Sequence, residues 1–158
     1  MKYSFSLLSL LPLALAAPVA VLPEKRQYNG VSTENQLTDG TPCRAVTVLF
    51  ARGTTEPGNV GTLAGPPFFQ ALAGDIGASN LAVQGVNYGA TIAGFLEGGD
   101  PAGSTLLAQL VVQAQTQCPN TKVVISGYSQ GGQLVHNAAK QLTAAQSAKV
   151  SSGKSIDS

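Results

Sequence analysis

The sequence carries few charged side chains and no excess of one sign. Asp, Glu, Lys and Arg make up 11% of the 158 residues, and residues 27–158 hold 6 basic and 7 acidic side chains. A nearly neutral chain offers no basic patch for nucleic acid and no cationic amphipathic helix for a membrane surface. We therefore expect neither nucleic acid nor a membrane as partner, and such a surface suits an uncharged or insoluble substrate.

The apolar run near the amino terminus is too short to cross a bilayer as a helix. Residues 7–15 form an apolar centre interrupted only by Ser9, follow the basic Lys2 and lead into a small-x-small motif at residues 14–16. A spanning helix needs about 20 apolar residues, whereas this order is typical of a cleaved secretory signal. The sequence thus predicts a signal peptide over residues 1–17 and a secreted, extracellular protein.

A short segment follows the predicted signal peptide. Residues 18–26 end in Lys25 and Arg26, a dibasic pair of the kind that processing proteases of secretory compartments cut. The segment is therefore a possible propeptide, and its removal leaves Gln27 at the amino terminus. An ordinary charged loop is the alternative interpretation.

Cysteine is scarce, with one pair at Cys43 and Cys118. An exported chain meets an oxidising environment, where an even number of cysteines is typical of disulfide bonding. We expect a bond between these two residues, with two free thiols as the alternative. By the chain-entropy model, closing a loop of this length stabilises the fold by on the order of 4 kcal/mol.

The motif that carries chemistry lies at residues 122–133. A β-branched apolar run at residues 123–125 leads into Gly-Tyr-Ser-Gln-Gly at residues 127–131. A buried strand, a glycine-flanked turn and a helix in this order form a G-x-S-x-G nucleophile elbow. The turn lifts the Ser129 hydroxyl above the carboxyl end of the sheet, where the first N–H groups of the helix also point. A glycine-rich turn of purely structural use is the alternative.

Apolar periodicity predicts strands and helices in alternation. The expected strands are residues 45–50, 81–86 and 123–125, and the expected helices are residues 66–76, 101–117 and 130–142. Between them we expect an irregular lead-in at residues 27–42 and a long surface loop at residues 87–99. The order βαβαβα predicts an α/β domain with a parallel sheet and right-handed crossovers.

Two candidate site elements follow strands of this predicted sheet. The turn-rich loop at residues 52–58 comes directly after the first strand, and Ser129 comes directly after the third. Ligands bind at the carboxyl ends of the strands in open parallel sheets. The sequence therefore predicts that this loop and Ser129 lie at one edge of the sheet.

Taken together, these residues resemble the fungal cutinases, small secreted serine esterases of the α/β-hydrolase class. The resemblance rests on Ala-Arg-Gly-Thr-Thr-Glu-Pro-Gly at 51–58, on residues 83–85, on Cys-Pro-Asn at 118–120 and on the elbow at 127–133, and it covers residues 40–149. It implies a three-layer sandwich around a parallel sheet. Related acetylxylan esterases share the Gly-Tyr-Ser-Gln-Gly elbow and are the nearest alternative.

The resemblance also implies roles for individual residues. Ser129 resembles the family nucleophile, and the Gln130 backbone N–H resembles one donor of the oxyanion hole. Thr54 resembles the residue whose hydroxyl and N–H complete that hole; the family commonly has serine there, and threonine adds a methyl group. Ile92 and Phe95 are candidates for an apolar lip that meets the acyl chain, with core packing as an equal alternative.

The sequence departs from the family after the elbow. In the cutinases an aspartate and then a histidine follow the nucleophilic serine and complete the catalytic triad. The only histidine is His136, which lies about 10 Å from Ser129 along the axis of the same predicted helix. The only later acid is Asp157. We expect a C-terminally truncated domain over residues 27–150 with about three of five strands, the elbow strand at an open edge, and a non-native tail at residues 151–158.

Two classes of function follow from these patterns. The first is a secreted carboxylic ester hydrolase of cutinase type, a monomer without metal or cofactor, which cleaves ester bonds of cutin-like polyesters by acylation of Ser129. The second is a catalytically dead surface-binding or vestigial fragment, because the family aspartate and histidine are missing from the sequence.

Overall fold

A parallel four-stranded sheet forms the centre of the computed structural model, which describes residues 27–152. The strands are β1 (Val46–Ala51), β2 (Leu81–Gly85), β3 (Lys122–Gly127) and β4 (Val150–Ser152). Their spatial order is β2-β1-β3-β4, and every neighbouring pair runs parallel. The fold confirms the predicted α/β architecture with a parallel sheet.

Helices connect the strands and cover both faces of the sheet. They are α1 (Gly65–Ile76), α2 (Ile92–Leu96), α3 (Pro101–Gln117), α4 (Gln130–Ala139) and α5 (Ala144–Ser147), with a 3-10 turn at Ala78–Asn80. The start of α3 illustrates how the sequence sets these bounds. The Asp100 carboxylate accepts a hydrogen bond of 2.6 Å from the Gly103 N–H, and Pro101 follows it as the first helical residue.

The core consists of two apolar clusters, one on each face of the sheet. Successive residues of β1 point to opposite faces, so Leu49 packs with α3 and α4, whereas Val48 and Phe50 pack with α1. Phe69 of α1 meets Phe50 edge to face, with ring centroids 5.1 Å apart. This sandwich of helices and sheet holds the carboxyl end of β1 beside that of β3, where the two site elements emerge.

Four expectations about the elements were wrong. The tail was expected to have no regular structure after Val150, but residues 150–152 form β4 and pair with β3. The elbow strand therefore has a neighbour on each side and is not an open edge. The expected loop at 87–99 contains the short helix α2, and α4 ends at Ala139 rather than near residue 142. Residues 153–158 lie outside the described part of the chain.

The lead-in segment closes the outer edge of β2. The Gln36 N–H donates to the Val83 carbonyl at 2.9 Å, and the Val83 N–H donates to the Gln36 side-chain oxygen at 2.7 Å. Leu37 and Gln84 make a further bond of 3.2 Å between them. These bonds replace those of a missing neighbouring strand, which protects the edge from pairing with another chain.

The predicted disulfide is confirmed. Cys43 and Cys118 are bonded with Cα atoms 5.5 Å apart, and the bond joins the approach to β1 to the carboxyl end of α3. Replacing both cysteines with serine should lower the free energy of unfolding by on the order of 4 kcal/mol, because the unfolded chain regains the freedom of a loop that spans 75 positions.

Urea denaturation of the parent and the double serine variant measures this loss. Alkylation under denaturing conditions is the control and should find no free thiol in the parent. An unchanged denaturation midpoint in the variant would contradict the prediction.

Candidate active site

Ser129 lies at a backbone reversal between β3 and α4. Its φ is 54° and its ψ is −119°, a conformation that residues other than glycine rarely adopt. Neighbouring hydrogen bonds hold the turn, because the Tyr128 N–H donates to the Ala51 carbonyl at 3.0 Å and the Gly131 N–H donates to the Tyr128 carbonyl at 2.8 Å. Ser129 is exposed to solvent at the top of this turn.

The two glycines of the motif are required by close backbone approach. A Cβ on Gly131 would collide with the backbone carbonyl of Ala51, and a Cβ on Gly127 would collide with the backbone of Gly131. Helix α4 can therefore begin directly against the end of β1 only because both positions lack side chains. This packing explains the glycine spacing by which the sequence predicted an elbow.

The start of α4 supplies a backbone donor next to Ser129, the Gln130 N–H, whereas the N–H groups of Gly131 and Gly132 already donate to the Tyr128 and Ser129 carbonyls. Ser129 is the N-cap residue and Gln130 is the first residue of the helix. The first N–H groups of a helix have no partner within it and carry a partial positive charge. An oxygen that becomes negative beside the Ser129 hydroxyl would be stabilised by the Gln130 N–H and by the positive end of the helix.

The Glu56 carboxylate shapes the loop that carries Thr54. One of its oxygens accepts a hydrogen bond of 2.7 Å from the Gly53 N–H, and the other accepts bonds of 3.0 and 2.9 Å from the N–H groups of Thr62 and Leu63. Three backbone donors on one carboxylate fix the loop in a single conformation. Thr54 is half-buried within it.

Arg52 and Tyr88 join this loop to the chain after β2. The buried Arg52 guanidinium donates to the Glu56 carbonyl at 2.6 Å and to the Tyr88 carbonyl at 2.8 Å, and its carbon lies 4.9 Å from the centre of the Tyr88 ring. The Tyr88 hydroxyl donates back to the Arg52 carbonyl. Burial raises the pKa of the Tyr88 phenol to about 12, so the phenol keeps its proton and remains a donor at neutral pH.

The Gln130 side chain connects the two site elements. Its amide nitrogen lies 3.0 Å from the Thr54 hydroxyl oxygen and 2.7 Å from the Thr91 carbonyl oxygen. The side chain is fully buried. The structure thus brings together the loop of Thr54 and the helix after Ser129, as the sequence predicted from the strand ends.

Ile92 and Phe95 lie on α2 and remain exposed. The exposed fraction is 64% for Ile92 and 42% for Phe95, and Leu96 and Leu63 are exposed beside the same site elements. Core packing, the alternative interpretation, is therefore wrong for both residues. Helix α2 is attached to α4 by the Gln133 side chain, which donates to the Phe95 carbonyl at 3.3 Å.

His136 does not belong to the site. It is exposed in the last turn of α4, whereas Ser129 caps the opposite end of that helix. Residues 27–152 contain no second histidine. The described part of the chain therefore provides no imidazole within reach of the Ser129 hydroxyl.

Sequence reasoning missed the residues that support the site. Glu56 was noted only as part of the loop, although a glutamate three residues after a glycine can accept that glycine's N–H, as it does here. Thr91 was placed in a surface loop, but it caps α2 by accepting the Gly94 N–H at 3.0 Å. A threonine directly before an apolar run is a helix start signal that could have located α2.

Comparison with known proteins supplies a family. A family model described as cutinase matches residues 42–153. The cutinase pbc1 of Pyrenopeziza brassicae is 60% identical over 116 residues, which are 73% of this chain and 57% of that protein. A cutinase of Botryotinia fuckeliana is 59% identical over 110 residues, or 70% and 54% of the two chains. The chain spans about half the length of these curated relatives.

Solved structures give the same result. The Trichoderma reesei cutinase, solved in complex with a phosphonate inhibitor, matches with a TM-score of 0.69 and 47% identity, covering 76% of this chain and 52% of that one. An acetylxylan esterase matches with a TM-score of 0.51 and 24% identity over 70% of this chain and 62% of that one. The second likeness bears on the fold alone.

Proposed function

Because the chain belongs to the cutinase family, we propose that it is part of a carboxylic ester hydrolase whose nucleophile is Ser129. One observation carries this proposal. Ser129 is held at a positive φ on an exposed turn, and the buried Gln130 side chain next to it contacts the Thr54 hydroxyl. A strained serine beside converging donors supports acyl transfer.

In the proposed reaction the Ser129 oxygen attacks the acyl carbon of the ester. The carbonyl oxygen becomes negative and accepts hydrogen bonds from the Gln130 N–H and from the N–H and hydroxyl of Thr54. The C–O bond then breaks, the alcohol leaves, and water releases the acid from Ser129. The serine proton needs a base, which residues 27–152 do not place near Ser129, so the proposal requires one from outside them.

We propose an apolar ester, such as a cutin-like polyester, as the substrate class. The exposed apolar side chains of Ile92, Phe95 and Leu96 lie on α2, which follows the Thr91 carbonyl that Gln130 contacts. Leu63, also exposed, donates its N–H to the Glu56 carboxylate that holds the loop of Thr54. We call these four side chains the apolar rim. Apolar acyl groups that bind on the rim lose contact with water, which favours binding. The acetylxylan esterase alternative gains no comparable support, since it rests on the shared elbow sequence.

A series of substrates with different acyl lengths tests this proposal on the native protein, meaning the polypeptide in which the source cell makes this sequence. Its kcat/KM for para-nitrophenyl butyrate should exceed that for the acetate about tenfold, because two more methylene groups leave water at about 0.8 kcal/mol each. Equal hydrolysis of both esters, together with release of acetate from acetylated xylan, would support the carbohydrate esterase instead.

A matched pair of variants locates the acyl contact. Phe95→Ser should reduce the preference for butyrate, whereas Val112→Ser should leave it unchanged. Phe95 and Val112 have similar exposed fractions, 42% and 38%, but Val112 lies on α3 away from the proposed site. Equal effects of the two substitutions would show that α2 does not contact the acyl chain.

We also propose that the product is secreted and acts as a monomer. The signal peptide at residues 1–17 and the possible propeptide at 18–26 lie outside the described residues, so both stay predictions from the sequence. Within residues 27–152, every helix is too short or too polar to pass through a membrane.

A non-catalytic surface-binding protein is the second candidate. It is favoured by the position of His136, which is exposed at the far end of α4 from Ser129. The exposed apolar rim would serve surface binding without chemistry. Turnover measurements on the 158-residue polypeptide separate the two candidates.

A further inference from the structure

We propose that the Gln130 side chain is a positioning residue that directs the hydroxyl proton of Thr54 toward the reacting carbonyl oxygen. The inference rests on the proposed function, in which Thr54 is an oxyanion donor. It assigns to the Gln130 amide a task separate from that of the Gln130 backbone N–H. The observations that carry it are two hydrogen bonds of one buried amide group.

The orientation of the Gln130 amide follows from its contact with Thr91. The atom of the amide that faces the Thr91 carbonyl oxygen lies 2.7 Å from it. Two oxygens at that distance without a proton between them would repel each other, so this atom is the nitrogen. The same nitrogen lies 3.0 Å from the Thr54 hydroxyl oxygen. One N–H therefore points to Thr91 and the other to Thr54.

The direction of the second bond determines what the Thr54 hydroxyl can do. An amide nitrogen donates but does not accept, so the Thr54 oxygen must be the acceptor. Its own proton then has to point away from Gln130. No other partner of this hydroxyl is found among residues 27–152. The proton is free to be donated to an oxygen that develops negative charge, without a competing bond to break.

The surroundings keep the amide in this orientation. The Gln130 side chain is 0% exposed, and its oxygen is buried without a hydrogen-bond partner in the described chain. Gly94 leaves room for that oxygen, because a Cβ at position 94 would stand 3.2 Å from it. The amide also joins the cap of α2 to the loop of Thr54, so the same group fixes the hydroxyl and the start of the apolar rim.

Phosphonylation kinetics of the native protein test the positioning role of the Gln130 side chain. A fluorophosphonate places its phosphoryl oxygen where the oxyanion forms. The Ser129 oxygen gives its proton to the base that the proposed function requires and bonds to phosphorus, and fluoride leaves. Met is similar in length to Gln but lacks the amide. Gln130→Met should therefore lower the maximal inactivation rate about tenfold. The reagent concentration that gives half the maximal rate should change little. Gln130→Glu should lower the maximal rate further, because a carboxylate accepts the Thr54 proton.

Two controls separate positioning from structure. Gln115→Met removes an amide donor of α3 that reaches Gln146 of α5 but neither α2 nor Thr54, and should leave the rate unchanged. In a Thr54→Val background, Gln130→Met should cause no further loss, because no hydroxyl remains to be directed. Circular dichroism and melting temperatures identify any variant whose fold has changed.

The outcomes are distinct. No phosphonylation of the parent at Ser129 would overturn the proposed function and this inference with it. A labelled parent with an unchanged rate in Gln130→Met would overturn the inference alone. Equal losses from Gln130→Met in the parent and in the Thr54→Val background would also overturn it, because the effect would then be structural.

Discussion

Replacing Ser129 with alanine should abolish labelling of the native protein by a fluorophosphonate. The reagent forms a covalent bond between phosphorus and the serine oxygen, and the variant has no oxygen to form it. Ser129 sits at the tip of an exposed turn, and its side chain makes no hydrogen bond that caps α4. The variant should therefore keep the circular dichroism spectrum of the parent while its labelling falls to background.

Ser126→Ala is the matched control for this experiment. Ser126 lies on β3, where it pairs with Phe50, only a few residues before the elbow and in ordinary strand conformation. Its loss should leave labelling unchanged. Peptide mass mapping assigns the labelled residue, and a label on any serine other than Ser129 in a product active on esters would refute the assignment.

The elbow was predictable because its chemistry requires an unusual local sequence. Steric contact with the end of β1 excludes a side chain at position 131, and contact with the backbone of Gly131 excludes one at position 127, so the turn imposes a visible pattern. The buried strand before it and the amphipathic helix after it have their own periodicities. The backbone geometry around Ser129 could therefore be predicted from the local sequence.

Other elements were missed because their conformation depends on tertiary contacts. Residues 150–152 form a strand through their pairing with β3, and a segment of three residues is too short to show alternation. Helix α2 has only five residues and includes Gly94, so its own periodicity is weak. Its threonine cap is local, but its attachment to the Gln133 side chain of α4 joins residues far apart in the sequence.

The same limit applies to the site. The resemblance to the cutinases implied that the Gln130 N–H acts together with the N–H and hydroxyl of Thr54. The direction of the Gln130 amide, however, depends on the Thr91 carbonyl, which is distant in the sequence. The exposure of Phe95 likewise depends on how α2 lies against α4. Residue identity indicates which groups are present, whereas packing decides which way they point.

The position of His136 has the largest consequence for activity. A serine hydroxyl is a weak nucleophile until a base removes its proton. His136 is about two helical turns from Ser129, which corresponds to about 10 Å along the axis of α4. A helix cannot return a side chain over that distance to its own N-cap. Backbone donors can still stabilise an oxyanion, so only a small residual rate enhancement is expected.

A recombinant polypeptide of these 158 residues should accordingly show almost no esterase turnover. Loss of the base removes on the order of 10⁶-fold of the rate that serine, base and acid provide together. The measurement is hydrolysis of para-nitrophenyl butyrate by the purified polypeptide and by its Ser129→Ala and His136→Ala variants, after circular dichroism has established that all three fold. Equal, near-background rates in the three proteins are expected. Robust turnover that disappears in both variants would show that His136 serves as the base and that the helix geometry does not separate it from Ser129.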